Sequence, residues 1–370
     1  MRHIRISIFM IAVTLICVGL VMVYSSSAIF SLERYRSSTF FLRRHLLHLI
    51  VGLILTVFVM NLDLKHLRRW ARPLFLFSVI LLMLLFVPGL ARQVGGARRW
   101  LSLGLVSFQP SELVKWTSVL FLADFLVGRQ KELSNLAIGK FLSALLIVGA
   151  VCALILVQPD LGGALAIAIV AALMFFAARI PLFYIINLAL CSLPVLYFSI
   201  FSVAYRRKRI ITFLNPWADI RGSGFQLVQS YLALGLGGLW GVGLGQSRQK
   251  LFYLPAAHTD FVFSIIGEEL GLLGTLAIIS LFILFLWQGI KVSLRSSDPF
   301  IKLFSFGLVI TIVFSACVHM AVACGAVPTK GLPLPFISYG GSSLVFNMMG
   351  VGLLLNSARD RYLQEQKLGV

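Results

Sequence analysis

Runs of about 17–25 consecutive apolar residues recur along almost the whole chain, the length a helix needs to cross about 30 Å of hydrocarbon. Backbone groups inside hydrocarbon must pair with one another, so such runs fold as helices. The chain is 59% hydrophobic and only 12% charged over 370 residues, far from the balance of a water-soluble domain. The runs place ten helices at roughly 6–30, 44–61, 73–89, 110–127, 139–157, 161–178, 181–203, 259–290, 300–325 and 342–357. The first follows Arg2 and Arg5 and is longer than the apolar centre of a secretion signal, so it reads as a retained helix. The expected fold is an all-α integral membrane protein of about ten transmembrane helices. It is one polytopic domain, 1–370, with a large extracytoplasmic loop at 204–258 between helices 7 and 8 and a cytoplasmic tail at 358–370.

Lys and Arg are equally numerous on the two faces this topology creates, so the positive-inside rule ties. The compact cluster Lys65, Arg68, Arg69 and Arg72 and the Arg-rich start put both termini in the cytoplasm. An outer face this basic calls for an anionic ligand. The net charge of +19 accordingly points to anionic lipid or a lipid-linked anion, and not to nucleic acid, for which there is no soluble domain. The five cysteines all fall in apolar runs without a CxxC pair, and the six histidines have no metal-ligand spacing. The run Gly235–Gly245 contains GxGxG but lacks the strand and βαβ unit of a dinucleotide site, so tight packing within the membrane is the better reading.

Carboxylates are scarce, 13 in all, and three lie within Leu254-Pro-Ala-Ala-His-Thr-Asp-Phe-Val-Phe-Ser-Ile-Ile-Gly-Glu-Glu269. Ionisable groups at a membrane helix are costly and mark function by default. Asp260 is either the N-cap of the helix that follows or a general base at the water–lipid boundary, with His258 placed to orient it. Glu268 and Glu269 lie deeper, where a structural ion pair or hydrogen bond is the better reading. Pro110 opens a helix on which Glu112 and Lys115 stand one turn apart, as a staple or as phosphate-facing groups. In Ala97-Arg-Arg-Trp100, Arg98 and Arg99 suit a pyrophosphate or lipid headgroups. The run Arg206–Arg209 reads by default as headgroup-facing. Pro328–Ser343 is polar and interrupted by prolines. Such a segment is tolerated only where it lines a cavity or is buried in protein, so Lys330, Ser338, Ser342 and Ser343 are candidates for a ligand wall.

Three blocks, Gly95–Lys115, Leu254–Gly274 and Pro328–Leu344, together resemble the SEDS family (shape, elongation, division and sporulation) of bacterial membrane glycosyltransferases. A fourth, Asn215-Pro-Trp-Ala-Asp219 with Gly224-Phe-Gln-Leu-Val-Gln229, adds to it. Pro328-Thr-Lys-Gly-Leu332 and Ile266-Gly-Glu-Glu-Leu-Gly271 are more similar to the cell-division branch than to the elongation branch. The resemblance implies polymerisation of lipid II, the undecaprenyl-pyrophosphate-linked disaccharide-pentapeptide, outside the plasma membrane at the septum. It implies a class B penicillin-binding protein and other divisome proteins as partners. It makes Asp260 the catalytic residue and puts Arg44, Arg98, Arg99, Glu112 and Lys115 at matching polar positions near the substrate path. No protein-held cofactor is implied, although Mg or Mn could accompany the pyrophosphate. The alternatives are a lipid II flippase, which needs polar groups on both faces, and an elongation-type polymerase.

Overall fold

The computed structural model describes residues 1–94, 97–103, 106–129, 138–251 and 253–367. Each of the ten apolar runs lies in a helix: α1 Arg2–Tyr35, α2 Phe40–Met60, α4 Ala71–Met83, α5 Pro110–Gly128, α6 Ile138–Val157, α7 Leu161–Ala177, α8 Leu182–Phe201, α11 Val262–Arg295, α12 Pro299–Ala323 and α13 Gly341–Lys367. Among the described residues three further α-helices lie in the connections: α3 Leu64–Arg69, α9 Ala204–Leu214 and α10 Phe225–Gly237. By length and composition α1, α2, α8, α11 and α12 can each cross a membrane, and α4, α6 and α7 are shorter apolar helices. Asp160 starts α7 by accepting the Gly163 N–H at 3.1 Å, and Asp298 starts α12 by accepting that of Phe300 at 2.7 Å.

The core gathers around α5, α7, α11 and α12, with α13 packed along α2 and α1 against α11. α8 buries none of its residues, and Phe183 and Phe198 are 70% and 66% exposed, so this helix faces lipid.

Two connections are more structured than their composition suggests. Residues 91–108 form an antiparallel sheet of β1 Ala91–Val94, β2 Ala97–Leu103 and β3 Val106–Phe108, with Leu101 opposite both Ala91 and Phe108. Side chains alternate along a strand, so Arg99 shares its face with the buried Leu101. The expected outer loop 204–258 holds α9 and α10, then folds back against α11. There the Val242 and Gly243 N–H groups donate to the Glu268 and Glu269 carbonyls, and the Leu272 N–H to that of Gly238. α11 departs from helical geometry at Gly271, φ +66°, where Gly241 N would lie 2.4 Å from a Cβ. A Cβ on Gly241, φ +79°, would meet the Glu269 carbonyl at 2.2 Å. The glycine run is therefore a close backbone contact, as its sequence context indicates. α13 continues as helix through the expected tail to Lys367.

Candidate active site around Asp260

Asp260 does not cap a helix. α11 begins at Val262 with Phe261 as N-cap, and no side chain caps it. Asp260 lies in the turn before it, its N–H bonded to the Ala256 carbonyl. That removes the capping alternative and leaves a half-buried carboxylate against the segment 328–340.

A Cβ on Gly331 would lie 3.3 Å from Asp260 Oδ2, so this backbone passes directly over the carboxylate. The two segments are sewn together: Ser338 Oγ donates to the Thr259 carbonyl at 2.7 Å and accepts from the Leu334 N–H, and the Tyr339 N–H donates to the His258 carbonyl at 2.9 Å. From below, His319 Nδ1 contacts the Leu332 carbonyl at 2.8 Å. Phe336 adopts φ +67°, and its carbonyl would lie 2.2 Å from a Cβ on Gly19, so the segment is seated on α1 where that helix has no side chain.

Two guanidinium groups lie near the carboxylate. Arg99 donates from Nε to the Gln158 carbonyl at 3.3 Å and from Nη2 to that of Pro159. Arg209 donates to the Thr329 carbonyl at 2.8 Å. Both guanidinium groups act electrostatically on Asp260. Burial pushes its pKa above the usual carboxylate value, while the Thr259 side chain, Arg209 and Arg99 pull against that rise. Lys330 is next to Gly331. Burial lowers its pKa, opposed by the Asp160 carboxylate. Arg209 comes from the run expected to face headgroups. Instead α9 turns back, so Arg206 caps the Ser199 and Leu156 carbonyls and Arg209 reaches the site. Asp160 and Arg209 were not singled out by the sequence, since a helix cap and a basic run each have an ordinary reading.

The other candidates divide. His258 has no described contact with Asp260. Its ring packs among Phe30, Phe41 and Tyr339, at 4.7 Å from the Phe41 ring, and burial lowers its pKa to about 4, so it is a neutral imidazole in an aromatic wall. Arg44 lies over Phe40 at 4.6 Å and hydrogen-bonds Tyr339, at the rim of that wall. Lys115 Nζ and Glu112 Oε1 form a buried pair at 2.8 Å, and Glu112 Oε2 has no partner among the described residues. The start of α5, not the pair itself, is tied to segment 328–343, where Ser342 Oγ accepts the Gln109 N–H, and no described contact links the pair to Asp260. Ser343 accepts from Asn347 within α13. The Arg98 side chain lies outside the described residues. Glu268 and Glu269 are wholly buried and committed elsewhere. Glu268 accepts from Ser247 Oγ and from the Arg248 and Gln249 N–H groups, and Glu269 from Ser25 Oγ at 2.7 Å and Lys250 Nζ at 2.9 Å.

Among the described residues no three His, Cys, Asp or Glu side chains gather to hold a metal ion, and Asp260's charged neighbours are cations. The site therefore does not fit a protein-held divalent cation. It does fit a reaction in which one carboxylate takes a proton while positive charge meets a developing anion.

Known proteins share this architecture. A chain in the solved structure "Structural coordination of polymerization and crosslinking by a peptidoglycan synthase complex" is 32% identical and superposes with a TM-score of 0.79, over 96% of this chain and 97% of that one. A relative from Geobacter sp. (strain M18), "Probable peptidoglycan glycosyltransferase FtsW", is 44% identical over 94% of this chain and 95% of its own. "Stage V sporulation protein E" of Bacillus subtilis (strain 168) is 41% identical over 94% and 95%. The family model FtsW/RodA/SpoVE, described as "Cell cycle protein", matches residues 5–363, and the chain belongs to that family.

Proposed function

We propose that the chain is a peptidoglycan glycosyltransferase that polymerises lipid II during cell division, with Asp260 as general base. The observation that carries this is a half-buried carboxylate, free of any capping role, with two guanidinium groups acting on it and Lys330 in the segment that passes over it. The activity carried in the name of the Geobacter relative supports it. Asp260 takes the proton from the 4-hydroxyl of the acceptor sugar. The resulting oxygen attacks C1 of the donor MurNAc, the C1–O bond to phosphate breaks, and undecaprenyl pyrophosphate leaves with inversion at C1. Arg99, Arg209 and Lys330 supply fixed positive charge to that leaving group, so the gain falls in the transition state. Any Mg or Mn enters with the pyrophosphate as part of the substrate.

In this reading the ten helices each cross the membrane, both termini are cytoplasmic, and loops 90–109, 204–258 and 326–341 are outside at the division septum. A class B penicillin-binding protein, acting with other divisome proteins, supplies crosslinking. The related chain drawn from a complex that couples polymerisation to crosslinking supports such a partner. The test is purified protein given lipid II with and without that partner. Glycan strands and released undecaprenyl pyrophosphate, unaffected by penicillin, are expected. Movement of lipid II across vesicles with no glycan made in the partner's presence would replace the enzyme with a flippase.

A further inference from the structure

α5 and α11 both begin beside the site and end on the opposite face of the molecule. There the α11–α12 turn, α3 and Ser357 of α13 enclose a cavity of about 330 Å³. An adjoining recess of about 320 Å³ shares Arg68 and Arg69 and adds Arg72 and Asp124. Four cations, Lys65, Arg68, Arg69 and Arg72, thus line two connected spaces.

The nearby carboxylates leave part of that charge unmatched. Asp124 takes Arg68 at 2.9 Å and Arg72 at 3.7 Å. One oxygen of Asp298 is bonded to the Phe300 N–H. Asp63 accepts from the Lys65 backbone and contacts His66. Among the described residues neither the Arg69 guanidinium nor the Lys65 ammonium has a hydrogen-bond or ion-pair partner, although the Lys65 charge acts on the nearby Asp63 carboxylate. Arg68 is held in place over the Phe300 ring at 5.2 Å. A rigid cation beside two that are held in no ion pair, in a preformed cavity, suits a doubly coordinated phosphate oxygen pair. The setting identifies the phosphate's source. Trp70, next in the chain, is 60% exposed, and Leu76, Phe77 and Leu294 on the adjoining helices are exposed apolar side chains that face lipid. Basic pockets between membrane helices take anionic headgroups in this way.

We propose that this recess binds the phosphodiester headgroup of an anionic phospholipid, on the face away from Asp260 and independently of the chemistry there. The probe is phosphatidylglycerol, with phosphatidylethanolamine as the zwitterionic comparison, offered to the full-length protein in mild detergent and counted by native mass spectrometry. Wild type is expected to retain phosphatidylglycerol in preference. The double variant Lys65→Gln, Arg69→Gln should lose that preference by roughly tenfold or more, and Arg2→Gln, a cation outside the recess, should keep it. Equal retention of the two lipids by wild type, or equal loss in Arg2→Gln, overturns the site. Displacement of the lipid by excess inorganic phosphate assigns the recess to a soluble phosphate and overturns the lipid. If the double variant does not fold, photoreactive phosphatidylglycerol on wild type decides: crosslinks within 64–72 or 296–301 support the site, and crosslinks elsewhere sink it.

Discussion

α11 and the turn before it carry acidic groups in two places, and the two are treated in opposite ways. Glu268 and Glu269 are fully enclosed, and their carboxylates are met by Ser247, two backbone N–H groups, Ser25 and Lys250. Asp260, in the turn before the helix, has guanidinium groups acting on it and the Gly331 backbone passing over it, but no ion pair among the described residues. A buried carboxylate whose partners are complete is a rivet: it fixes the α10–α11 connection against α1 and has nothing left to offer a substrate. A carboxylate short of partners is unfavourable at rest and able to accept a proton. Scarcity of acids marks both places. Only the count of partners separates catalysis from construction.

The strongest way to break this contrast is Asp260→Asn. It removes the base and keeps the shape, so polymerisation should fall by about 10²–10⁴, the usual share of general base catalysis, with thermal stability held or slightly raised. A lipid II polymerisation assay beside a melting curve reads both. Near-normal turnover would return Asp260 to a structural role.

The rivet should respond in reverse. Glu269→Gln or Lys250→Met leaves one buried charge unpaired and is expected to cost about 3–5 kcal/mol of stability. The double change Lys250→Met, Glu269→Gln should recover much of it, and activity per folded molecule should hold. A double-mutant cycle with no recovery would show that the two do not act as a pair.

Arg99→Gln and Arg209→Gln test the charge around Asp260 itself. Each removes a fixed cation and should reduce kcat/KM by about tenfold to a hundredfold, equivalent to about 1.5–3 kcal/mol. Lys208→Gln, in the same basic run but 65% exposed, should do far less. Equal losses would mean general attraction of an anionic substrate to a basic surface.

The contrast was only half legible beforehand. The helices were, because each apolar run is long enough to demand one, and Asp260, Glu112 and Lys115 stood out as polar residues at helix ends. The sheet 91–108 was not, because short strands are broken up by glycines and carry little alternation. Arg209 was not, because its place depends on α9 folding back toward Thr329. The partners of Glu269 were not, because Ser25 is 244 residues away and only packing brings it there. His258 shows the same limit. Two residues from Asp260, it turns into the aromatic wall of α1, α2 and segment 328–340.

pH gives the smallest effect and the sharpest sign. Burial raises the Asp260 pKa above its ordinary 3.8, and Arg209 and Arg99 restrain the rise. A base works ionised, so kcat/KM should fall as pH drops through that raised value, tenfold per unit below it. Arg209→Gln removes a restraint, so its acid limb should move to higher pH, a shift that lost substrate affinity alone would not produce. His258 titrates at about 4 and gives no limb near the ordinary histidine value of 6.5. Stability runs the other way. The folded state binds the Asp260 proton more tightly than the unfolded chain, so this carboxyl's penalty is fully present above the folded pKa and is relieved as pH falls toward 3.8. Activity and this share of stability should therefore change in opposite directions over one window, and both trends should vanish in Asp260→Asn. An acid limb that Arg209→Gln leaves in place or moves downward would mean that the group being titrated is not Asp260.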